Sequence, residues 1–573
     1  MHRSSVGRTL WVALALLTVA ACSQPPTPSS PQAASAPSGG ASATTPAQPK
    51  GTIRVAWTRE PETLSPKFLS GGGAGEYTWT FNSALAIRDL SYIPHPMLAR
   101  ELPSQANGDW VVNADGTMVT TFRLRDNARW HDGAPITAQD FAFAYQVYID
   151  DAMPVGVRAP ESLMSSVEAR DDLTLVINWK EPYVQANALG YRQLHPLPRH
   201  LLEEKYRTSR ATFATGEEWN HNYVGSGPFK VERWEPGSRI VARAHREFFL
   251  GPPKLDTLEI RFISDTNAIL ANLLAGEIDM MNSPSTSATE AVVARDQMVT
   301  RGEAYLKTWF TRTAHVDFQF REVPGWQRAI ADVRVRQALI HALDRQGMTD
   351  VINLGLGPSA DVYVAPADPV FPEVDRAIVK YPFDPNRAAA LFADTGLRRT
   401  GNGTLLDAAG QPFDLAVWAD QEDEAVIVAD YWKAAGVNTT PFRVPNARRN
   451  DQEFRNHFPG TQIGSNTISQ EELHVVSSKL PKAELGWLGS NRGSFVDPEV
   501  DRLHHIVRTS FNEAERNQAT IAMHRRISEV VAFQPIYYIV ELVVAKNKVK
   551  GPSGTAGPQT GITWNLWEWE VTE

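Results

Sequence analysis

A shortage of cysteine and of positive charge sets the first limits on this chain. Cys22 is the single cysteine among 573 residues, so no internal disulfide forms and stability must come from burial of apolar side chains. Lys and Arg number 56 against 65 Asp and Glu, which gives a formal net charge of −9. Because there is no basic run either, the composition argues against a nucleic-acid partner.

Motifs of the common hydrolases are also missing: the sequence has no H-E-x-x-H, no G-x-S-x-G and no S-x-x-K. His131 and Asp132 stand in a turn before a helix, a pattern typical of local hydrogen bonding rather than catalysis. Adjacent residues on a helix point about 100° apart, so His504 and His505 are poor joint ligands for one metal ion. We therefore expect no enzyme activity, no metal and no cofactor.

The apolar run Leu10–Ala20 has 11 residues and is too short to span a bilayer. Arg3 and Arg8 precede it, which is typical of a signal peptide. Val19-Ala20-Ala21-Cys22 resembles a bacterial lipobox, so we predict a signal peptide over residues 1–21 and lipidation of Cys22. The alternative is an ordinary signal-peptidase site with an incidental cysteine.

Residues 23–50 consist almost wholly of Pro, Ser, Ala, Thr, Gly and Gln, with Lys50 as the only charge. Such a segment cannot bury enough apolar surface to fold. We predict that 22–50, the lipidated cysteine and its linker, form a tether with a reach of roughly 30 Å when flexible. The protein would then lie outside the cytoplasm, anchored to a membrane by lipid alone.

The most informative stretch is 113–148. Asp115-Gly116 is a hairpin signal, and Met118 starts a run whose alternation predicts a half-buried strand. Thr137 followed by Asp140 three residues later predicts a capped helix with an aromatic face.

This order of signals resembles the family 5 extracellular solute-binding proteins, the peptide-, dipeptide- and nickel-type receptors of ABC importers. Further matching runs follow in the expected order: Glu60-Pro61 with Leu64 and Pro66, 95–99, 224–229, 276–280, 332–345 and 494–503. The resemblance covers nearly all of residues 52–550.

The length of the chain exceeds what one hydrophobic core supports, so at least two lobes are expected. The resemblance implies an α/β fold of the type II periplasmic-binding-protein class with three domains. Domain I would use residues 51–90, 222–284 and 530–573, domain II residues 91–221, and domain III residues 285–529.

By the same resemblance, the chain is expected to capture a small solute, most often a peptide, between two lobes and to deliver it to ABC permease subunits. A monomer is expected. Three alternatives stay open: an extracytoplasmic hydrolase with a hidden carboxylate pair, a surface sensor or adhesin, and a receptor for a non-peptide solute.

The resemblance also implies where the solute touches. Residues matching positions near the cleft of the family are Glu60, Pro61, Trp418, Trp487, Tyr537 and Tyr538.

One departure from the family concerns the acid that pairs with a peptide's ammonium group. In peptide-binding members it follows a third-domain Trp closely, but here no acid follows Trp487 before Asp497. A buried ammonium without a carboxylate is costly. Either Glu471 or Glu472 replaces the missing acid, or the solute has no free amino terminus. Arg492 would suit a carboxylate or another anion, unless it is an ordinary exposed loop residue.

Overall fold

The computed structural model describes residues 51–68, 74–89, 93–155, 158–468, 473–553 and 561–572. The predicted signal peptide, Cys22 and the linker lie outside these ranges, as do Glu471 and Glu472. Within them, no helix is both long enough and apolar enough to cross a membrane.

The strands are β1 Thr52–Trp57, β2 Ala86–Arg88, β3 Pro94–Pro96, β4 Trp110–Val112, β5 Met118–Arg123, β6 Met164–Ala169, β7 Thr174–Trp179, β8 Phe229–Glu235, β9 Arg239–Ala244, β10 Thr257–Phe262, β11 Met280–Asn282, β12 Ala304–Phe318, β13 Arg398–Arg399, β14 Leu405–Leu406, β15 Asp414–Ala419, β16 Asn438–Arg443, β17 Thr461–Thr467, β18 Phe533–Lys546, β19 Val549–Lys550 and β20 Glu570–Val571. The helices are α1 Ala74–Phe81, α2 Ala138–Ile149, α3 Arg199–Thr208, α4 Thr266–Ala275, α5 Ala288–Ala294, α6 Val333–His341, α7 Arg345–Asn353, α8 Phe371–Ala377, α9 Pro385–Asp394, α10 Glu422–Ala434, α11 Gln452–Asn456, α12 Pro498–Thr509 and α13 Glu513–Val530.

A mixed ten-stranded sheet dominates the fold, in the order β16-β15-β17-β12-β18-β11-β1-β10-β9-β8. The long strands β12 and β18 lie in the middle of this sheet, between the group β16-β15-β17 and the group β11-β1-β10-β9-β8. Residues 304–309 of β12 pair with 541–546 of β18, which also borders β11, whereas 312–318 of β12 pair with β17 on the other side. The two strands therefore connect one group of strands to the other.

A separate antiparallel sheet has the order β4-β5-β7-β6. Its apolar face packs on α2 in a cluster that includes Phe122, Trp130, Phe141 and Trp179. The strand and helix predicted from residues 113–148 are confirmed. The N–H of Thr137 donates to the Asp140 carboxylate at 2.8 Å, as the capping pattern predicts.

Other helices also begin and end at residues suited to those positions. Asp332 and Asp384 accept backbone hydrogen bonds at the starts of α6 and α9. Gly276 ends α4 with a left-handed φ of 86°, which costs a residue without Cβ little.

The turn at 225–227 passes very close to the end of α1. A Cβ on Gly227 would lie 2.4 Å from the carbonyl carbon of Phe81. The small residues of this turn therefore permit a close backbone crossing.

Candidate functional site

Buried charged side chains gather along β12 and β18 where their pairing is interrupted. The register shifts between Trp309, opposite Glu541, and Arg312, opposite Ile539. At this break the Trp309 indole N–H donates to Glu541 Oε2 at 2.8 Å. Burial raises the pKa of Glu541, while Thr311, Arg312 and Trp309 favour its ionised form. The break thus holds a carboxylate in a poorly hydrated place.

Glu76, on α1, is a second buried carboxylate and is 5% exposed. Burial raises its pKa to about 7; backbone N–H groups oppose the shift, and the charge of Glu541 adds to it. The two carboxylates are therefore close enough to repel each other, so a cation between them would be stabilised.

A third carboxylate, Glu424, lies in the first turn of α10. The Tyr537 hydroxyl of β18 donates a hydrogen bond to Glu424 Oε1. Burial raises the pKa of Glu424, an effect that Tyr537 opposes and the charge of Asp420 increases. The guanidinium of Arg312 is near, yet it donates to Ser465 Oγ at 2.8 Å rather than to this carboxylate.

Two arginines, Arg455 and Arg492, lie near Asp420. Arg455 is 3% exposed and pairs with Asp420 through its guanidinium. Burial lowers the pKa of Arg492 and so does the charge of Arg455, whereas Asp317 and Asp420 act in the opposite direction. The sequence left open that Arg492 is an ordinary exposed loop residue. In the structure its side chain is half-buried instead.

A compact histidine–carboxylate cluster completes the region. His474 Nε2 lies 3.2 Å from Asp317 Oδ1, and His315 Nε2 lies 3.5 Å from Asp317 Oδ2. Burial alone would raise the pKa of Asp317, but the two imidazoles bring it below its ordinary value. Burial lowers the pKa of His474, which favours the neutral imidazole.

The predicted contact residues are spread over several places. Glu60 accepts from the Trp234 indole N–H at 2.6 Å and from the Gly237 N–H at 2.8 Å, which fixes the loop after β1. Pro61 is buried beside it. Trp418 is 8% exposed and packs on Phe442 and Phe454.

Trp487 is half-buried and has a left-handed φ of 61°. Its ring meets His457 edge-on, and the Arg321 guanidinium lies 5.1 Å from the ring centroid. Tyr538 turns away from Glu424, because its hydroxyl donates to the carbonyls of Val362 and Val364. Of the predicted residues, the structure brings Tyr537 and Arg492 to the charged region around Glu424 and Asp317.

A pocket of about 590 Å³ lies elsewhere, on the four-stranded sheet, and is lined by residues such as Asn113, Ser166 and Lys180. It contains none of the predicted contact residues and none of the buried carboxylates described above. Its lining mixes polar side chains with Met118 and Val119, and its one aromatic residue is Trp179. We do not assign it a solute.

Sequence reasoning missed Glu76, Glu424 and the histidine cluster. Two weak signals were present. Glu541 interrupts an otherwise apolar strand, and His315 and Asp317 are two residues apart on a strand, which places them on one face. Nothing local connects either signal to Glu424 or His474.

Comparison with known proteins identifies the family of this chain. The sequence model of bacterial extracellular solute-binding proteins, family 5, matches residues 94–474. The chain belongs to this family. It is 27% identical over 443 residues to the oligopeptide-binding protein AppA of Bacillus subtilis, covering 74% of this chain and 76% of that protein. It is also 27% identical over 495 residues to a putative ABC transporter peptide-binding protein of Brucella ovis, covering 83% and 85% of the two chains.

Among solved structures, AppA of Bacillus subtilis in complex with a nonapeptide superimposes with a TM-score of 0.72 at 21% identity, covering 92% of this chain and 100% of AppA. The predicted α/β fold of the type II periplasmic-binding-protein class is thereby confirmed. The predicted family is confirmed as well, and the chain is an extracellular solute-binding protein of the transport type.

Proposed function

We propose that the chain is the extracytoplasmic receptor of an ABC importer, and that it captures a peptide with a free amino terminus between two lobes and hands it to the permease. The names of the relatives at 27% identity, oligopeptide-binding and peptide-binding, support the solute class. No catalytic step belongs to this proposal. Turnover of a peptide by the purified protein would contradict it.

The observation that carries the solute class is the position of Glu424 at the start of α10, where its carboxyl accepts a hydrogen bond from the Tyr537 hydroxyl. Burial raises the pKa of this carboxyl, so its surroundings are poorly hydrated. An ionised carboxylate in poorly hydrated surroundings is stabilised most by a cation in direct contact. We propose that a peptide ammonium takes this position, so that Glu424 supplies the acid missing after Trp487.

The three-domain division is part of the same proposal: 51–90, 222–284 and 530–573 as domain I, 91–221 as domain II and 285–529 as domain III. The two long strands β12 and β18 support a hinge, because they pass between two groups of strands and their register shifts near Trp309 and Arg312. Binding would favour the closed state only by its differential affinity for that state.

Anchoring and localisation are proposed from the N-terminal sequence. A signal peptide over 1–21 and lipidation of Cys22 would hold a monomeric receptor at a membrane through the linker 23–50. The permease subunits would be its protein partner.

The test is a calorimetric titration with di- to pentapeptides beside the same peptides acetylated at the amino terminus. We expect the free peptides to bind and acetylation to abolish binding. Glu424→Gln should then weaken binding at least tenfold, whereas Glu422→Gln, an exposed change in the same helical turn, should leave it unchanged. If Glu471→Gln or Glu472→Gln abolishes binding instead, Glu424 is not the partner. If neither peptide set binds, another small solute replaces the peptide.

A further inference from the structure

We propose that His315, Asp317 and His474 bind a divalent first-row transition-metal ion, with zinc, nickel, cobalt or copper as the class of ligand. One ligand atom from each of the three side chains lies within 4.8 Å of the other two. It is the one such group found within the described ranges. The inference goes beyond the proposed solute binding and is tested without any solute.

The fold produces this convergence from distant parts of the chain. His315 and Asp317 are alternate residues of β12 and therefore project from the same face. His474 comes from the segment after β17, the strand that pairs with this part of β12. Two imidazole nitrogens and one carboxylate oxygen are a ligand set that suits zinc, nickel and copper rather than magnesium or calcium.

The polar atoms of the cluster are poorly satisfied by one another. His315 Nε2 lies 3.4 Å from Asn466 Nδ2 and 3.5 Å from Asp317 Oδ2, both at or beyond the long end of a hydrogen bond. The Nδ1 atoms of His315 and His474 are buried and find no hydrogen-bond partner among the described residues. Buried polar atoms without partners are costly. A bound metal ion would take a lone pair from each imidazole and one from the Asp317 carboxylate.

Gly464 lets the backbone of β17 pass close to two of the ligand side chains. A Cβ at position 464 would lie 3.0 Å from Asp317 Oδ2 and 3.0 Å from His315 Nε2. A methyl group there would press on both atoms and move them from their present positions. The backbone of Gly464 does not have a left-handed φ, so alanine is compatible with its conformation.

An aromatic frame holds the two imidazoles in place. Tyr363 and Phe533 each contact both rings, with centroid separations from 4.5 to 6.2 Å. The Tyr363 hydroxyl donates to the carbonyl of Thr467 at the end of β17. Side chains that are already rigid lose little entropy when an ion binds, so this cluster should bind an ion more tightly than a flexible cluster would.

Positive charge near the site works against the ion. Arg492 lies close enough to interact electrostatically with Asp317, and Arg455 stands next to it. Arg455 is paired with Asp420, so its charge is largely compensated. With a single anionic ligand, we expect weaker binding than in a site with several thiolates or carboxylates.

The experiment uses the full chain, purified in detergent, with its affinity tag cleaved and its metals stripped. Cobalt is added first, because its visible absorption reports nitrogen and oxygen coordination, and zinc is then used to displace it. We expect one equivalent of cobalt to bind with a new visible band, and zinc to remove that band. No band, or a band with no fixed stoichiometry, would overturn the proposal.

Four substitutions test whether the ion binds at this site rather than at other histidines of the protein. His315→Gln, Asp317→Asn and His474→Gln each remove a ligand and should weaken cobalt binding about tenfold or more. Gly464→Ala keeps all three ligands but crowds Asp317 Oδ2 and His315 Nε2, so it should weaken binding as well. His200→Gln is the matched control, because His200 lies 2.7 Å from the Asp132 carboxylate on the surface. Unchanged binding in the four variants, or an equal loss in the control, would contradict the assignment.

A second measurement guards against variants that fold poorly. Zinc should raise the melting temperature of the wild-type protein and of His200→Gln, since an ion that binds only the folded state stabilises it. It should not raise the melting temperature of Gly464→Ala. A variant whose metal-free melting temperature is normal and whose zinc response is retained shows that the ion binds elsewhere.

Discussion

The Tyr537 hydroxyl donates a hydrogen bond to Glu424 Oε1, joining β18 to the start of α10 across 113 residues of chain. Tyr537 is 3% exposed, so water screens the contact little. Hydrogen bonds to charged groups in such places contribute about 1.5–3 kcal/mol. We expect Tyr537→Phe to lower the free energy of unfolding by about that amount, measured by urea denaturation at neutral pH.

Tyr305 provides the matched control for this change. It lies on β12, and its buried hydroxyl finds no hydrogen-bond partner within the ranges that the structure describes. Tyr305→Phe removes a similar atom without breaking a hydrogen bond, so it should leave stability nearly unchanged. Equal losses in the two variants would show that the Tyr537–Glu424 bond is not the cause.

The buried carboxyl of Glu76 predicts a pH dependence of stability. Burial is the main reason that its pKa is about 7 in the folded protein against 4.5 for the free side chain. Between these values the folded chain holds a proton that the unfolded chain has lost, so stability falls as pH rises from about 4.5 to about 7 and is level above. The loss is roughly 3 kcal/mol.

Urea denaturation at pH 5 and pH 8 tests this sign. Glu76→Gln stays neutral, so it should flatten the decline, whereas Glu62→Gln, an exposed change in the preceding loop, should not. A wild-type protein that becomes more stable from pH 5 to pH 8 would contradict the assignment.

How much the sequence reveals depends on how local a feature is. Asp384 and Pro385 start α9 by contacts within one turn. Gly276 ends another by its own backbone freedom. Such features are set by neighbours in the chain, so a pattern is enough to predict them.

The candidate site depends instead on strand register. His315 meets His474 only because β17 pairs with the second half of β12. Glu424 meets Tyr537 only because α10, which packs on β15 and β16, begins close to β18. A shift of one residue in the pairing of β12 would move its side chains to the opposite face. No local pattern contains that information. Resemblance predicted Tyr537, and the charge of a residue close to Trp487 suggested Arg492, but the partners of both were missed.

The two tryptophans predicted to touch the solute should differ in their effects. Trp418 packs between Phe442 and Phe454, so Trp418→Ala should lower the free energy of unfolding by about 3–5 kcal/mol. Trp487 is only half-buried, so Trp487→Ala should change stability less and weaken peptide binding by about 1–4 kcal/mol. Denaturation and calorimetry on both variants decide this, and unchanged affinity for Trp487→Ala removes it from the site.

Lipid attachment predicts a clear cellular phenotype. Cys22→Ala should release the protein from membranes, because no helix of the described residues is long and apolar enough to cross one. Two or three acyl chains hold a protein stably, whereas one holds it only weakly. Detergent-phase partitioning of the wild type and of Cys22→Ala measures this, and a variant that stays in the detergent phase would exclude Cys22 as the anchor site.

Closure about β12 and β18 should change the size of the molecule. Their register shift near Trp309 and Arg312 gives the two groups of strands a place to move relative to each other. We expect the radius of gyration from small-angle X-ray scattering to shrink when a binding peptide is added, and the melting temperature to rise with its concentration. Glu424→Gln, if it no longer binds, should show neither change. A radius that stays constant while calorimetry shows saturation would mean that the solute binds to a molecule already closed, or to one without a hinge.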